Sequence, residues 1–280
     1  MSLQTKACFK KEFLAYLRTY KFLIIALVIL GLAVFFPLLI VGTGALMYNL
    51  SDFYYYELDT DITGMVEFFG TASSIGVSSS VEAITGIGLI VMIILMNKAA
   101  GGEQKKRAII IPKSAGLRSF SYLFPKFIIY PISVLIMSII SMLASWAVSF
   151  LIFEVNDLIL SSVLISGALA GVHLMFYACM HLTLGTATGR AGMSAAVCIT
   201  ISMFLPLMFA MMEMDYMFNP FALNTLAQMP LVNNAMSISV LTDIGISTIF
   251  VFGIMIALFL VALFAQNAKK IDNSGDEIRL

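Results

Sequence analysis

Residues 22–42 read FLIIALVILGLAVFFPLLIVG, a run without one charged or hydrogen-bonding side chain. A helix needs about 20 such residues to cross a hydrocarbon core of about 30 Å. The run is longer than the roughly 7–15-residue core of a secretory signal, and no small-x-small site closes it, so it reads as a retained span. Five further stretches qualify: 74–96, 127–153, 158–184, 191–212 and 242–264. The second is the weakest, because it opens with the polar SIGVSSSVEAITG. Without it, however, the loops on either side would fall on the wrong faces of the membrane.

Composition agrees. Of 280 residues 60% are hydrophobic and 11% are charged, with mean hydropathy +0.99. Soluble domains carry roughly 25% charged residues, and a soluble fold of this chain would leave large apolar patches in water. The expected fold class is therefore all-α: a polytopic membrane protein of six transmembrane helices preceded by an amphipathic helix.

Net charge is zero, but its distribution is uneven. Lys6, Lys10, Lys11, Arg18 and Lys21 precede the first span. Seven more basic residues, from Lys98 to Lys126, lie between the second and third. Arg190 follows the fourth span, and Lys269, Lys270 and Arg279 follow the sixth, which accounts for all 16 Lys and Arg. The other three loops hold only acids: Asp52, Glu57, Asp59, Asp61, Glu67, Glu154, Asp157, Glu213 and Asp215. Basic loops stay cytoplasmic, so both termini are expected inside. A bacterial cytoplasmic membrane suits this pattern, and nothing in it calls for a nucleic-acid partner.

The chain is expected to form one transmembrane domain. An interfacial helix covers 1–21, spans one and two cover 22–96, and a cytoplasmic loop covers 97–126. Spans three to six cover 127–264, and a cytoplasmic tail covers 265–280. In TKACFKKEFLAYLRTYK (5–21), Phe9, Phe13, Tyr16, Leu17 and Tyr20 share an arc of about 100° at helical spacing, with the basic residues mostly opposite. Such a helix lies along the membrane interface. In NKAAGGEQKKRAIIIPKSAGLRSFSYLFPK (97–126), Gly101-Gly102 should break the incoming helix. A short charged helix over 103–111 should then stop before Pro112. Loops of this length usually carry function. The acidic, Tyr-rich segment 48–73 shows no strong periodicity. EMDYMFNPFALNTLAQMPLVNNAMSIS (213–239) is apolar for a loop, and Pro220 and Pro230 divide it into pieces too short to cross. Short helices dipping into the outer leaflet are expected.

Ionisable groups inside a bilayer are costly and mark function by default. The spans hold Glu82, His173 and His181, which would suit a proton relay or, more simply, hydrogen bonds across helices. Seven of the 19 methionines crowd the fifth span and its end: Met193, Met203, Met208, Met211, Met212, Met214 and Met217. Thioethers fill cores, form pliable apolar walls and bind Cu(I). Gly167/Gly171 and Gly185/Gly189 form GxxxG pairs, which allow close helix packing. Cys8, Cys179 and Cys198 show neither CxxC spacing nor a disulfide framework. No P-loop, HExxH or GxSxG motif is present, and no internal repeat supports a secondary transporter.

Taken together, these features resemble the permease subunits of the type-two ABC exporter family. Those proteins share a basic elbow helix, six spans with both ends inside, a coupling helix between spans two and three, and re-entrant helices between spans five and six. Glu103, Arg107, the Ile109-Ile110-Ile111 run, Arg118 and Lys126 follow the order of the family's loop motif. Ala108-Ile109 stands in place of its Gly-Thr, Pro112 comes early, and Pro125 replaces the Gly before Lys126.

The resemblance implies a separate ATP-binding subunit docked on Glu103, Gln104, Lys105, Lys106, Arg107 and Arg118. ATP and Mg would sit on that partner, so this chain would be no enzyme and hold no cofactor. A second copy or sister permease would complete a path between protomers, lined by spans two and five through Glu82, Met203, Phe204, Met208 and Met211. Membrane lipids would surround it, and the cargo would be an amphipathic or hydrophobic peptide, lipid or drug. The alternatives are a non-transporting immunity or sensor protein, which binds a peptide through its acidic loop, and a copper-handling permease.

Overall fold

The computed structural model describes residues 3–54, 73–102, 116–153, 158–212, 218–232, 238–268, 270–271 and 277–278. Helix α1 (Leu3–Arg18) leads into α2 (Lys21–Tyr54). The next span is composite: α3 (Ser73–Ala83), a π-helical turn (Ile84–Gly88), α4 (Leu89–Asn97) and a second π-helical turn (Lys98–Gly102). Then come α5 (Ser119–Ile152), α6 (Leu160–Thr188), α7 (Ala191–Met211), a 3-10 turn (Pro220–Ala222), α8 (Leu223–Val232) and α9 (Ile238–Ala268). The tail holds a two-residue antiparallel pairing of β1 (Lys270–Ile271) with β2 (Glu277–Ile278).

Six helical stretches are long and apolar enough to cross a membrane: Lys21–Thr43, Ser73–Gly101, Ser119–Ile152, Leu160–Thr188, Ala191–Phe209 and Val240–Ala268. Each overlaps one expected from the sequence, the polar second span included. The chain is an all-α polytopic membrane protein.

Helix α6 is the axis of the bundle. Of its most apolar stretch 83% is buried inside the protein, against 17% for the fifth and sixth spans. The reason is visible in its residues: small or weakly polar side chains let neighbours approach on every side. A Cβ on Gly171 would lie 3.0 Å from the α-carbon of Leu135 and one on Gly167 3.2 Å from that of Ile139, so the first GxxxG pair packs closely against α5. A Cβ on Gly185 would lie 2.5 Å from the carbonyl oxygen of Ala100. Gly189 closes α6 in the left-handed conformation, φ 66°. By contrast α9 sends Ile249, Ile256, Leu260 and Phe264 outward, where only lipid or another protein can cover them.

Buried hydroxyls join the spans. Ser145 donates to Ser80 at 2.8 Å, Ser80 reaches the Ala33 carbonyl on α2 at 3.1 Å, and Ser138 donates to the Gly167 carbonyl at 3.0 Å. Interhelical bonds of this kind contribute about 0.6 kcal/mol each in a membrane protein. Prolines 37, 131 and 206 sit inside α2, α5 and α7. Neighbouring helices and hydroxyls make such interruptions tolerable in lipid.

Three expectations are corrected. The stripe on α1 is divided: Phe9 and Tyr16 turn toward the bundle with buried Thr5 and Glu12, whereas Phe13, Leu17 and Tyr20 are exposed. A helix lying between bundle and lipid meets apolar surroundings on two sides, so one continuous arc serves both. At Gly101-Gly102 the incoming helix reaches its last described residues. The α-helix gives way at Lys98 to a π-helical turn that carries both glycines, because Gly101 packs against Gly185 and Ala191, with room for no Cβ. The third span starts at Ser119, so Lys126 is not at its opening but two turns inside it. Pro230 lies within α8 and divides nothing. The proposed helix over 103–111 and most of the acidic segment lie outside the described residues.

Candidate functional site

A cavity of about 420 Å³ opens between the composite second span, α7 and α8, with α6 at its back. Glu82 enters it from the last turn of α3, immediately before the π-helical turn. One extra residue per turn widens a helix locally and re-aims the side chains around it. Thr85, within that turn, bonds back to the Val81 carbonyl at 2.8 Å. Ser202, Met203 and Pro206 line the cavity from α7, and Ser202 donates to the Ile199 carbonyl at 2.8 Å.

The remaining wall is α8. Its entry is fixed by Asn219, whose side chain accepts from the Phe221 amide at 3.0 Å, with Pro220 as the first helical residue. Phe221 then packs on Phe176 at 5.6 Å and Phe209 at 5.7 Å, centroid to centroid. Leu223, Leu226, Ala227 and Leu231 are buried. With that face committed to the core, Asn224 and Gln228, one helical turn apart, meet the cavity.

His173 closes the back. It is 4% exposed, sits edge-on to Tyr177 at 5.0 Å, and its Nδ1 finds no partner among the described residues. Glu82 has no ion pair among the described residues, and no Lys or Arg lines the cavity. The site is thus rich in acceptors: a carboxylate, hydroxyl lone pairs, a thioether and an imidazole, against the two amide groups of Asn224 and Gln228.

Of the path residues expected from sequence, Glu82 and Met203 meet here, together with His173. Phe204, Met208 and Met211 do not line the cavity; they are 62%, 54% and 79% exposed on the outer side of α7. His181 is elsewhere, bonded through Nδ1 to Ser194 at 2.7 Å. Met214 and Met217 lie outside the described residues, as do Glu103, Gln104, Lys105, Lys106 and Arg107. Arg118 is exposed in extended backbone just before α5. Sequence reading missed Thr85, Ser202, Asn224 and Gln228. The polar pair at four-residue spacing in the apolar LNTLAQ was the available signal. Among the described residues no group of three or more His, Cys, Asp or Glu side chains converges on a metal position.

At the other end of the bundle, α1, α5 and the second π-helical turn meet. Lys126 is 1% exposed; its ammonium donates to the Ala99 carbonyl at 3.2 Å and to the Tyr122 hydroxyl at 2.8 Å. Thr5 and Ser121 share a hydrogen bond at 3.0 Å, Gln4 donates to the Gly116 carbonyl at 3.4 Å, and Lys21 to the Leu95 carbonyl at 2.7 Å. Burial raises the Cys8 thiol and pushes the Tyr16 phenol up to about 12, with Ser133 drawing the phenol slightly back. Beside this junction an apolar groove of about 320 Å³ runs between α1, α2 and α5.

The fold defines a multi-pass membrane protein with a polar cavity between its helices. No family model, curated protein or solved structure matches the chain.

Proposed function

We propose that the chain is the permease subunit of an ATP-driven exporter in the bacterial cytoplasmic membrane, with the basic end of the bundle in the cytoplasm. The observation that carries this reading is the clamping of both flanks of the basic segment 103–115. On one flank the Ala99 carbonyl is held by buried Lys126; on the other, the Gly116 carbonyl is held by Gln4 of the elbow helix α1. A force applied to the segment therefore passes into the second span, and that span carries Glu82 into the cavity at its far end.

A separate P-loop ATPase docks on Glu103, Gln104, Lys105, Lys106, Arg107 and Arg118. The chain hydrolyses nothing itself; ATP and Mg belong to the partner. Closure of two ATPases moves two such segments, and a site differing between the two states gives direction to the cycle. The fifth span lines one wall of the cavity and is largely uncovered within one copy. A second copy, or a sister permease, covers that face, and an amphipathic or hydrophobic cargo passes between them. Replacing Lys105, Lys106 and Arg107 together by Glu abolishes co-purification of the ATPase. Retained binding by that variant would overturn the docking assignment.

A further inference from the structure

We propose that the cavity between the composite second span, α7 and α8 is a binding site for the ammonium group of an amphiphile, held by the Glu82 carboxylate. The inference names the cargo class of the exporter reading; it rests on that reading for transport, though not for binding.

Three features select this chemistry. The first is charge. Glu82 and Asp243 are the only acidic side chains on the six described spans, and Glu82 lines this cavity. A carboxylate kept within a membrane-spanning segment is costly without a counter-ion, and none of the described side chains supplies one.

The second is the balance of hydrogen-bonding groups. The hydroxyl protons of Thr85 and Ser202 are directed at carbonyls of their own helices. They therefore offer lone pairs to the cavity, as does the carboxylate. His173, buried at the back with Nδ1 unpartnered, adds an imidazole that accepts when neutral. A ligand group that brings several protons and a positive charge completes this set; a carboxylate or phosphate would meet repulsion. A primary ammonium, with three donors, fits better than a quaternary one, which has none.

The third is the surface at the mouth. Met203, which lines the cavity, is 63% exposed, and Ile87 and Leu207, next in sequence to the lining residues Gly86 and Pro206, are exposed as well. An apolar tail lies along this deformable strip while the amine occupies the polar pocket. Two sources supply the same chemistry: an aminophospholipid of the bilayer, or a diffusing amphiphilic amine.

The test uses the full chain in phosphatidylcholine nanodiscs, titrated with dansylcadaverine, a fluorescent primary amine, and with its N-acetylated derivative. Protein-dependent, saturable binding of the amine is expected, with the acetylated form and Glu82→Gln each weaker by roughly tenfold or more, the loss of one charge-assisted bond. Asp243→Asn titrates as the wild type. Should Glu82→Gln fail to purify as a monodisperse species, Ser202→Leu, which fills the mouth and leaves the carboxylate in place, is expected to weaken binding in the same way. Equal affinity for the two probes, or wild-type affinity in the Glu82 or Ser202 variant, would overturn the site. Repeating the titration in nanodiscs containing phosphatidylethanolamine separates the sources. Weakened dye binding places the lipid amine in the site, and unchanged binding assigns it to a diffusing amine. No ATPase is present, so failure here leaves the exporter reading standing, and failure of ATPase docking leaves this site standing.

Discussion

The Lys126 ammonium and the Ala99 carbonyl are 3.2 Å apart in the buried junction between α5 and the second π-helical turn. A π-helical turn leaves carbonyls out of α-helical register, and a charged donor from a neighbouring helix takes up one of them. The bond ties the flank of the segment 103–115 to α5, a helix of 34 residues. Lys126→Met keeps most of the side-chain volume and removes the donor. Loss of a hydrogen bond to a charged group costs about 1.5–3 kcal/mol, so a lowered melting temperature in detergent is expected. A melting temperature equal to the wild type would show that the bond does not hold the turn.

Close approach at the same junction makes a second, independent demand. A Cβ on Gly185 would lie 2.5 Å from the Ala100 carbonyl oxygen and 2.6 Å from its carbon, and neither is a side chain that can rotate away. Gly185→Ala should therefore separate α6 from the π-helical turn at a cost of about 1–3 kcal/mol. Gly192→Ala on α7, where a Cβ meets nothing within 4 Å, serves as the control. Thermal unfolding of the two variants side by side should show a clear drop for the first alone.

Tyr20 turns the chain between α1 and α2 with φ 54°, a conformation that L-residues other than glycine adopt at a cost of about 1–2 kcal/mol. The corner is held by Thr19, whose hydroxyl donates to the Ala15 carbonyl at 2.8 Å, and by the Ile24 amide bonded to the Tyr20 carbonyl at 2.9 Å. The Tyr20 ring is exposed, so its removal sacrifices little packing. Tyr20→Gly should raise the melting temperature slightly. Tyr20→Val, β-branched and ill-suited to this conformation, should lower it.

Cys8 is the one partly exposed cysteine; Cys179 and Cys198 are buried among the spans. Burial raises the Cys8 thiol, with Lys11 pulling the other way. Its thiolate fraction at neutral pH is therefore smaller than that of a free thiol, and its alkylation should be slow at pH 7 and accelerate as pH rises through the alkaline range. With a membrane-impermeant maleimide, labelling is expected in inverted vesicles and not in intact cells. Labelling of intact cells would reverse the proposed orientation.

How far the sequence could be read follows from which distances set each feature. Apolar run length against bilayer thickness is a local property, so all six spans were legible, even the second with its serines. Those serines proved to be the internal contacts, Ser80 to Ser145 and Ala33, that allow a polar stretch to be buried. The cavity was only partly legible. Glu82 drew attention as a lone acid, but Asn224 and Gln228 become partners only when Phe221 pins α8 against Phe176 and Phe209. The methionines show the converse: similar residues at close spacing, of which Met203 turns to the cavity while Met208 and Met211 face outward. The second π-helical turn had no sequence signal, because it lies where helices press together at Gly101 and Gly185.

The central claim is that this chain works with a separate ATPase. The most direct measurement is purification of the tagged chain from gently solubilised membranes, with every co-purifying protein identified and its stoichiometry determined. The account predicts a P-loop ATPase present at a constant ratio to this chain. Recovery of the chain alone, under conditions that preserve a known ABC complex, would contradict it.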